Sequence, residues 1–181
     1  MRPDSFSSRW AIALGGCLLL LSGCKHRERK VQVLTDEESA VLASVVQMGD
    51  AKVAPQLLKG FHSVEENSWR WTMGQFAVAL RPPRNGAIRG AVLHFKFVLP
   101  EAILAKVNNR ISLSAAVNGT PLPPETYTKA GEFDYARDVD SKLLAGEAVN
   151  VEFTMDKVVP AGMIEQREFG VIATSVGFEA K

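Results

Sequence analysis

Four stretches of this chain alternate apolar and polar residues with a period of two, and that beat limits the fold more than any other feature. In "QFAVALR", Phe76, Val78 and Leu80 alternate with Gln75, Ala77, Ala79 and Arg81. Leu93, Phe95, Phe97 and Leu99 alternate with Val92, His94, Lys96 and Val98, and Ile111, Leu113, Ala115 and Val117 are interleaved with Ser112 and Ser114. Val149, Val151, Phe153 and Met155 alternate with Asn150, Glu152, Thr154 and Asp156. Neighbouring side chains of an extended strand point to opposite faces, so each stretch offers one apolar face to a core and one face to water. Such strands are stable when two sheets stack their apolar faces, which predicts an all-β, antiparallel β-sandwich over residues 60–181. "FGVIATSVGF" loses the beat between Ala173 and Val176, as a bulge or a strand covered on both faces requires.

The connections carry their own signals. Asn85-Gly86 and Asn118-Gly119 tolerate the positive φ of tight turns and lie beside alternating runs. Pro82-Pro83, Pro100, Pro121 and Pro123-Pro124 are expected to hold connections outside the sheets. A short helix is expected through "EAILAKV" and a further turn through "DSKLL". Ahead of the strands, Thr35-Asp36-Glu37-Glu38 reads as a capping box with acidic residues at the positive end of a helix dipole. Val41, Leu42, Val45 and Val46 follow at helical spacing and Gly49 supplies a stop, so one amphipathic helix is predicted over 36–48, docked on the domain by its apolar stripe.

The N-terminus has the three parts of an export signal: Arg2 and Arg9, an uncharged apolar run from Trp10 to Leu21, then small residues before Cys24. The run is too short to span a bilayer core, which takes about 20 residues. Leu21-Ser22-Gly23-Cys24 resembles the lipobox of bacterial lipoproteins. That resemblance implies a diacylglycerol thioether on Cys24, cleavage just before it, and fatty acylation, palmitate among the acyl groups, of the new amine. Leu14-Gly15-Gly16-Cys17 looks like a second such box, but it would leave only Trp10 to Ala13 as its apolar region and strand Leu18 to Leu21 beyond the cut. The expected organisation is therefore signal peptide 1–23, acylated cysteine and basic tether 24–34, helix and linker 35–59, and sandwich 60–181. Lys25, not Asp, follows the cysteine, and the sorting preference of enterobacteria-like lipoproteins then implies the outer membrane, facing the periplasm. Lys25, Arg27, Arg29 and Lys30 lie in the tether as headgroup partners or as a solvated spacer.

Composition removes several function classes. The chain has 21 basic and 20 acidic residues, and removing Arg2, Arg9 and Asp4 with the signal leaves equal numbers of each, without the basic surplus a nucleic-acid partner requires. With Cys24 acylated, no thiol is left for a disulfide or a zinc site. His26 belongs to the tether, and His62 and His94 stand apart from any cluster with metal-ligand spacing, so no metal and no cofactor is expected. There is no nucleophile elbow and no phosphate-binding glycine loop, and the expected protein is not an enzyme. Paired carboxylates would leave no local trace; Glu65-Glu66 is the obvious pair, but neighbours in a strand diverge, so a shared site would require a loop.

The most distinctive stretch is "GFHSVEENSWRWT". In strand geometry Trp69 and Trp71 share a face and Arg70 takes the other. Two aligned indoles make a platform for the apolar face of a sugar ring, with Arg70, Glu65 or Glu66 bonding from the rim. The alternative places both indoles in the core and pairs Arg70 with an acid. The series from Gly60-Phe61 to Glu65, then "WRWT", "VNGTPL" with Pro124 and Thr126-Tyr127, "DKVVP" and "QREFGVIATSVGF" resembles the jelly-roll, carbohydrate-binding-like modules of bacterial envelope proteins. The resemblance implies a two-sheet jelly roll over roughly residues 60–179 and an envelope polysaccharide or envelope-protein partner, and it adds Tyr127 to the candidate ligand-binding residues. The expected function is a lipid-anchored, non-catalytic accessory module that binds glycan; the alternative is an assembly lipoprotein that binds protein and no sugar.

Overall fold

The structure, a computed structural model, describes residues 42–181; the signal segment, Cys17, Cys24, the tether and residues 35–41 lie outside the described residues. The strands are β1 (Val45–Gln47), β2 (Leu57–Phe61), β3 (Arg70–Leu80), β4 (Ala91–Leu99), β5 (Ile111–Val117), β6 (Thr120–Tyr127), β7 (Gly131–Val139), β8 (Val149–Met155) and β9 (Ile172–Ala180). Two short helices, α1 (Gly86–Arg89) and α2 (Glu101–Lys106), sit in connections, and "DSKLL" makes a 3₁₀ turn at Ser141–Leu144. Every strand pair is antiparallel. β1 and β2 extend the sheets to the N-terminal side of residue 60.

The order β6-β5-β8-β3-β9-β4-β7 folds into two sheets because β3 belongs to both. Its start pairs with β9, Arg70 opposite Ala173 and Trp71 opposite Ile172, while its end pairs with β8 from Gln75 to Leu80. One sheet thus reads β3-β9-β4-β7 and the other β3-β8-β5-β6, and apart from the β5–β6 hairpin each connection after β3 passes from one sheet to the other. This is the eight-strand jelly-roll order with its first two strands fused into the long β3. At the crossing, the Gly74 amide has no ladder partner and donates to Glu168 Oε1 at 2.7 Å. Four phenylalanines join the sheets: Phe76 stacks on Phe153 at 4.9 Å, and Phe95 of the opposite sheet lies 4.9 Å from Phe153 and 5.0 Å from Phe97. All four are buried, and truncating any one of them to Ala would cost about 3–5 kcal/mol.

The helix expected over 36–48 is not what its described part forms. Residues 42–44 are non-helical and Val45–Gln47 is a strand on the free edge of β9. Val46 and Met48 are buried there while Val45, 49% exposed, and Gln47 point outward, an alternation of period two. β-Branched Val45 and Val46 suit both the strand and the helical spacing, and the unpaired edge of β9 decides between them. The loss of phase in the last strand is a bulge: β4 pairs Lys96 with Ser175 and then Phe97 with Ala173, leaving Thr174 over. Asn118 and Gly119, with φ of 47° and 79°, turn β5 into β6.

Pro121, Pro123 and Pro124 lie inside a strand, contrary to expectation. β6 is at the end of its sheet, where a proline interrupts no second ladder, and Pro123-Pro124 form a bulge between the pairs Leu113–Glu125 and Ala115–Leu122. Across the gap from β6, Tyr135 Oη of β7 donates to the Pro123 carbonyl at 2.8 Å, and Arg137 Nε donates to the same oxygen at 2.8 Å.

The sandwich has two distinct ends. Residues 42–44 join it at one: the Arg81 amide donates to Ala43 O and the Phe178 amide to Ser44 O. That entry end also carries the β3–β4 connection with α1 and the turn at Ser141–Leu144. The opposite, hairpin end carries residues 62–69, α2 and the long β8–β9 connection. No helix among the described residues is long and apolar enough to cross a membrane.

Candidate ligand-binding end of the sandwich

Residues 65–69 form a tight hairpin before β3. The Glu65 amide donates to Trp69 O at 2.9 Å, the Trp69 amide returns to Glu65 O at 3.3 Å, and Glu66 and Asn67 turn the chain with φ of 50° and 51°. Gly49 faces this turn; a Cβ there would strike the Asn67 carbonyl and Ser68 Cα, so the hairpin lies directly on the backbone that leaves β1. Glu65 and Glu66 therefore sit in the loop that a shared carboxylate site would need, yet Glu65 is committed to an ion pair and Glu66 is exposed in the turn.

The two indoles do share a face, but as an edge-to-face pair and not as a flat platform. Trp69 and Trp71 stand 5.9 Å apart with their planes at 88°, and Trp71 meets Phe169 edge-on at 4.9 Å. Both tryptophans are half-buried. Trp71 packs against the core cluster as its last layer, and Trp69 leans on Trp71 from outside. Neither sequence-based expectation describes both rings: they do not lie flat side by side, and Trp71 alone packs against the core cluster.

Arg167 makes the polar rim. Its Nη1 donates to Glu65 Oε1 at 2.9 Å, its Nε and Nη2 to Glu165 Oε2 at 3.1 and 3.0 Å, and its guanidinium carbon lies 5.0 Å from the centre of the Phe169 ring. The bonds to Glu65 and then Glu165 push the guanidinium pKa above its ordinary value, so the group is a fixed cation over the Phe169 ring. His62 Nε2 donates to Glu168 O at 2.7 Å, and its ring is 6.0 Å from Phe169.

Among the described residues Arg70 pairs with no acid. Its Nε donates to Met48 O at 3.0 Å and its Nη1 to His62 O at 3.1 Å, tying the chain after β1 and the chain after β2 to the start of β3. Its work is to hold the hairpin in place behind the tryptophans. Tyr127 belongs to the core: it is 4% exposed, its ring packs on Phe133 at 4.7 Å and Phe97 at 5.2 Å, and its hydroxyl has no hydrogen-bond partner among the described residues. Burial, and next the Glu125 charge, push its phenol far above the usual range. An inward position on β6 removes it from any surface site.

The sequence reading missed Glu165, Arg167 and Phe169, which lie about a hundred positions from Glu65 and Trp69. It also set His94 apart, whereas Nδ1 lies 2.9 Å from Asp134 and Nε2 lies 3.2 Å from Glu179, on the outer face of the β7-β4-β9 sheet. These two carboxylates are on opposite sides of the ring, an arrangement for bracketing an imidazole and not for converging on one ion. No protein-family model matches the chain, and no curated protein matches it in sequence.

Proposed function

We propose that this chain is a non-catalytic lipoprotein of the bacterial cell envelope, anchored through acylated Cys24 to the periplasmic side of the outer membrane, whose hairpin end binds an envelope glycan. The observation that carries the reading is Trp69: a half-buried indole outside the core, set at right angles to Trp71 and paired through its backbone with Glu65, the partner of Arg167. One indole face takes the C–H face of one sugar ring, and a guanidinium with its carboxylate partners supplies donors and acceptors for ring hydroxyls. The edge-to-face geometry suits a single stacked residue of a chain better than two successive ones.

A protein partner is the second reading, and it rests on Met163 and Ile164, which are 51% and 49% exposed in the loop that also carries Glu165 and Arg167. Retention of the protein on immobilised peptidoglycan and on envelope polysaccharides separates the two. Glycan binding requires that Trp69→Ala and Arg167→Ala lose retention while their circular dichroism stays that of the parent. If the parent is not retained, and Met163→Ser with Ile164→Ser abolishes a cross-link to an envelope protein, the second reading replaces the first.

A further inference from the structure

The entry end has a surface that the glycan reading does not use. Ile88, on the outer side of α1, is 78% exposed, more than any other large apolar side chain among the described residues. It is held there by construction. Asn85 precedes α1 with φ of 63°, the Arg89 and Gly90 amides close the turn on Asn85 O and Gly86 O, and Pro83, Gly86 and Leu144 are buried beneath it. A short helix whose inner side is packed and whose outer side is isoleucine has no internal reason to present that residue to water. Around it lie Arg81, Arg84, Arg89 and Lys142, all exposed, and among the described residues none of them makes an ion pair. The acids at this end among the described residues are Glu147, which with Ile88 and Arg81 lines an open hollow of about 610 Å³, Asp140, whose carboxylate accepts from the Lys142 amide at 2.9 Å, and Asp138 and Glu179, which are already paired with Lys181 and His94. Cations therefore predominate around an exposed apolar tip.

We propose that this end of the sandwich rests on the membrane, with Ile88 entering the headgroup layer and Arg81, Arg84, Arg89 and Lys142 lying against the phosphates of anionic phospholipid. The inference rests on the lipid-anchor reading, and the chain's own path supports it. The residues that follow Cys24 join the sandwich at this end, through Leu42 and Ala43, beside Arg81. A linker between residues 24 and 42 spans at most about 60 Å even when fully extended. Tethered at that range, the domain meets the surface at a high effective concentration, so weak contacts suffice, each cation near an anionic surface adding roughly fivefold to the docked population. β3 runs from one end to the other through 11 residues, so docking would set the Trp69 hairpin roughly 35 Å above the lipid, clear of the headgroups.

The test uses the full chain, purified with its acyl groups and reconstituted into vesicles of phosphatidylethanolamine and phosphatidylglycerol. Beyond Cys24 the chain has no cysteine, so Ile88→Cys and Met163→Cys each accept a single environment-sensitive fluorophore. Docking requires a blue shift and quenching by brominated lipid at position 88 and neither at position 163. The shift at 88 should fall when Arg84→Gln and Arg89→Gln are added, when salt is raised, and when phosphatidylcholine replaces the anionic lipid. An acylated protein whose position 88 reports water as fully as position 163 overturns the docking face and leaves the anchor standing. Should Cys24 carry no fatty acid, the anchor reading fails by itself. A chain with Cys17→Ser and Cys24→Ser, labelled at position 88 alone and held on anionic vesicles through an N-terminal histidine tag and a nickel-chelating lipid, then decides the face: a shift at 88 upholds it and an unchanged spectrum overturns it.

Discussion

Thr72→Val tests the corner on which the jelly roll turns. Thr72 is fully buried where β3 leaves β9 for β8; its amide donates to Val171 O at 2.9 Å, its carbonyl accepts from Gly170 at 2.7 Å, and its Oγ1 accepts from the Val171 amide at 3.1 Å. Valine keeps the shape and replaces the acceptor by a methyl group, so the Val171 N–H is orphaned in a site closed to water. That penalty is about 1–3 kcal/mol, offset in part by the more apolar methyl, for a net loss of about 1–2 kcal/mol. Thr72→Ser keeps the acceptor and deletes a buried methyl group, a loss of about 1 kcal/mol by a different route. Urea unfolding should show a lower midpoint for both variants with the slope unchanged. Hydrogen exchange separates the causes: the Val171 amide should lose protection ahead of its neighbours in the valine variant alone. A valine variant as stable as the parent, with Val171 still protected, would refute the role given to this hydroxyl.

Arg70→Ala should cost about 2 kcal/mol in the same urea titration, since it strips the donor from Met48 O and His62 O, and Arg70→Lys should recover only part because one ammonium cannot span both carbonyls. Trp71→Ala should cost about 3 kcal/mol and Trp69→Ala about 1 kcal/mol, so that thermal melts order the two rings as core edge and outer ring. Tyr127 and Tyr135 both have phenol pKa values raised above 10.0, first by burial, so the stability that goes with their neutral forms is complete below that pH and is lost as pH rises through the folded-state values. Tyr127→Phe removes a buried hydroxyl without a partner; unfolding free energies measured across alkaline pH should show a gain of about 1 kcal/mol at neutrality and a shallower decline. Cys24→Ser should abolish labelling by a fatty-acid probe, and Cys17→Ser should leave it intact.

The four alternating runs became β3, β4, β5 and β8 with their apolar positions inward, because a period of two in residues that bury well admits little else. β3 also shows what the beat hides: Ala77 and Ala79 are buried as well, since β2 lies along the same strand and the Gln56 amide reaches Ala79 O at 2.8 Å. β6 was hidden by its prolines, which mark an edge strand and a connection equally well. β7 carries the alternation Phe133, Tyr135, Arg137, Val139, and Arg137 breaks its apolar face for a reason only the fold supplies: its guanidinium lies 4.2 Å from the Tyr135 ring centre and reaches the β6 carbonyls. Half of the hairpin-end site was legible in "GFHSVEENSWRWT". The other half could not be read locally, because Glu165, Arg167 and Phe169 reach Glu65 and Trp71 through the pairing of β3 with β9, and no spacing along the chain encodes a contact across a hundred residues.

β6 also determines how this protein behaves among its neighbours. The outer edge of a sheet is a template on which any extended chain, including a second copy, can add itself as another strand. Here three of the eight residues on that edge lack an amide hydrogen, and the Pro123 and Pro124 carbonyls are already claimed by Tyr135 and Arg137. An arriving strand finds neither a row of donors nor a free row of acceptors. The prolines that obscure the strand in the sequence thus leave β6 a poor template for an added strand.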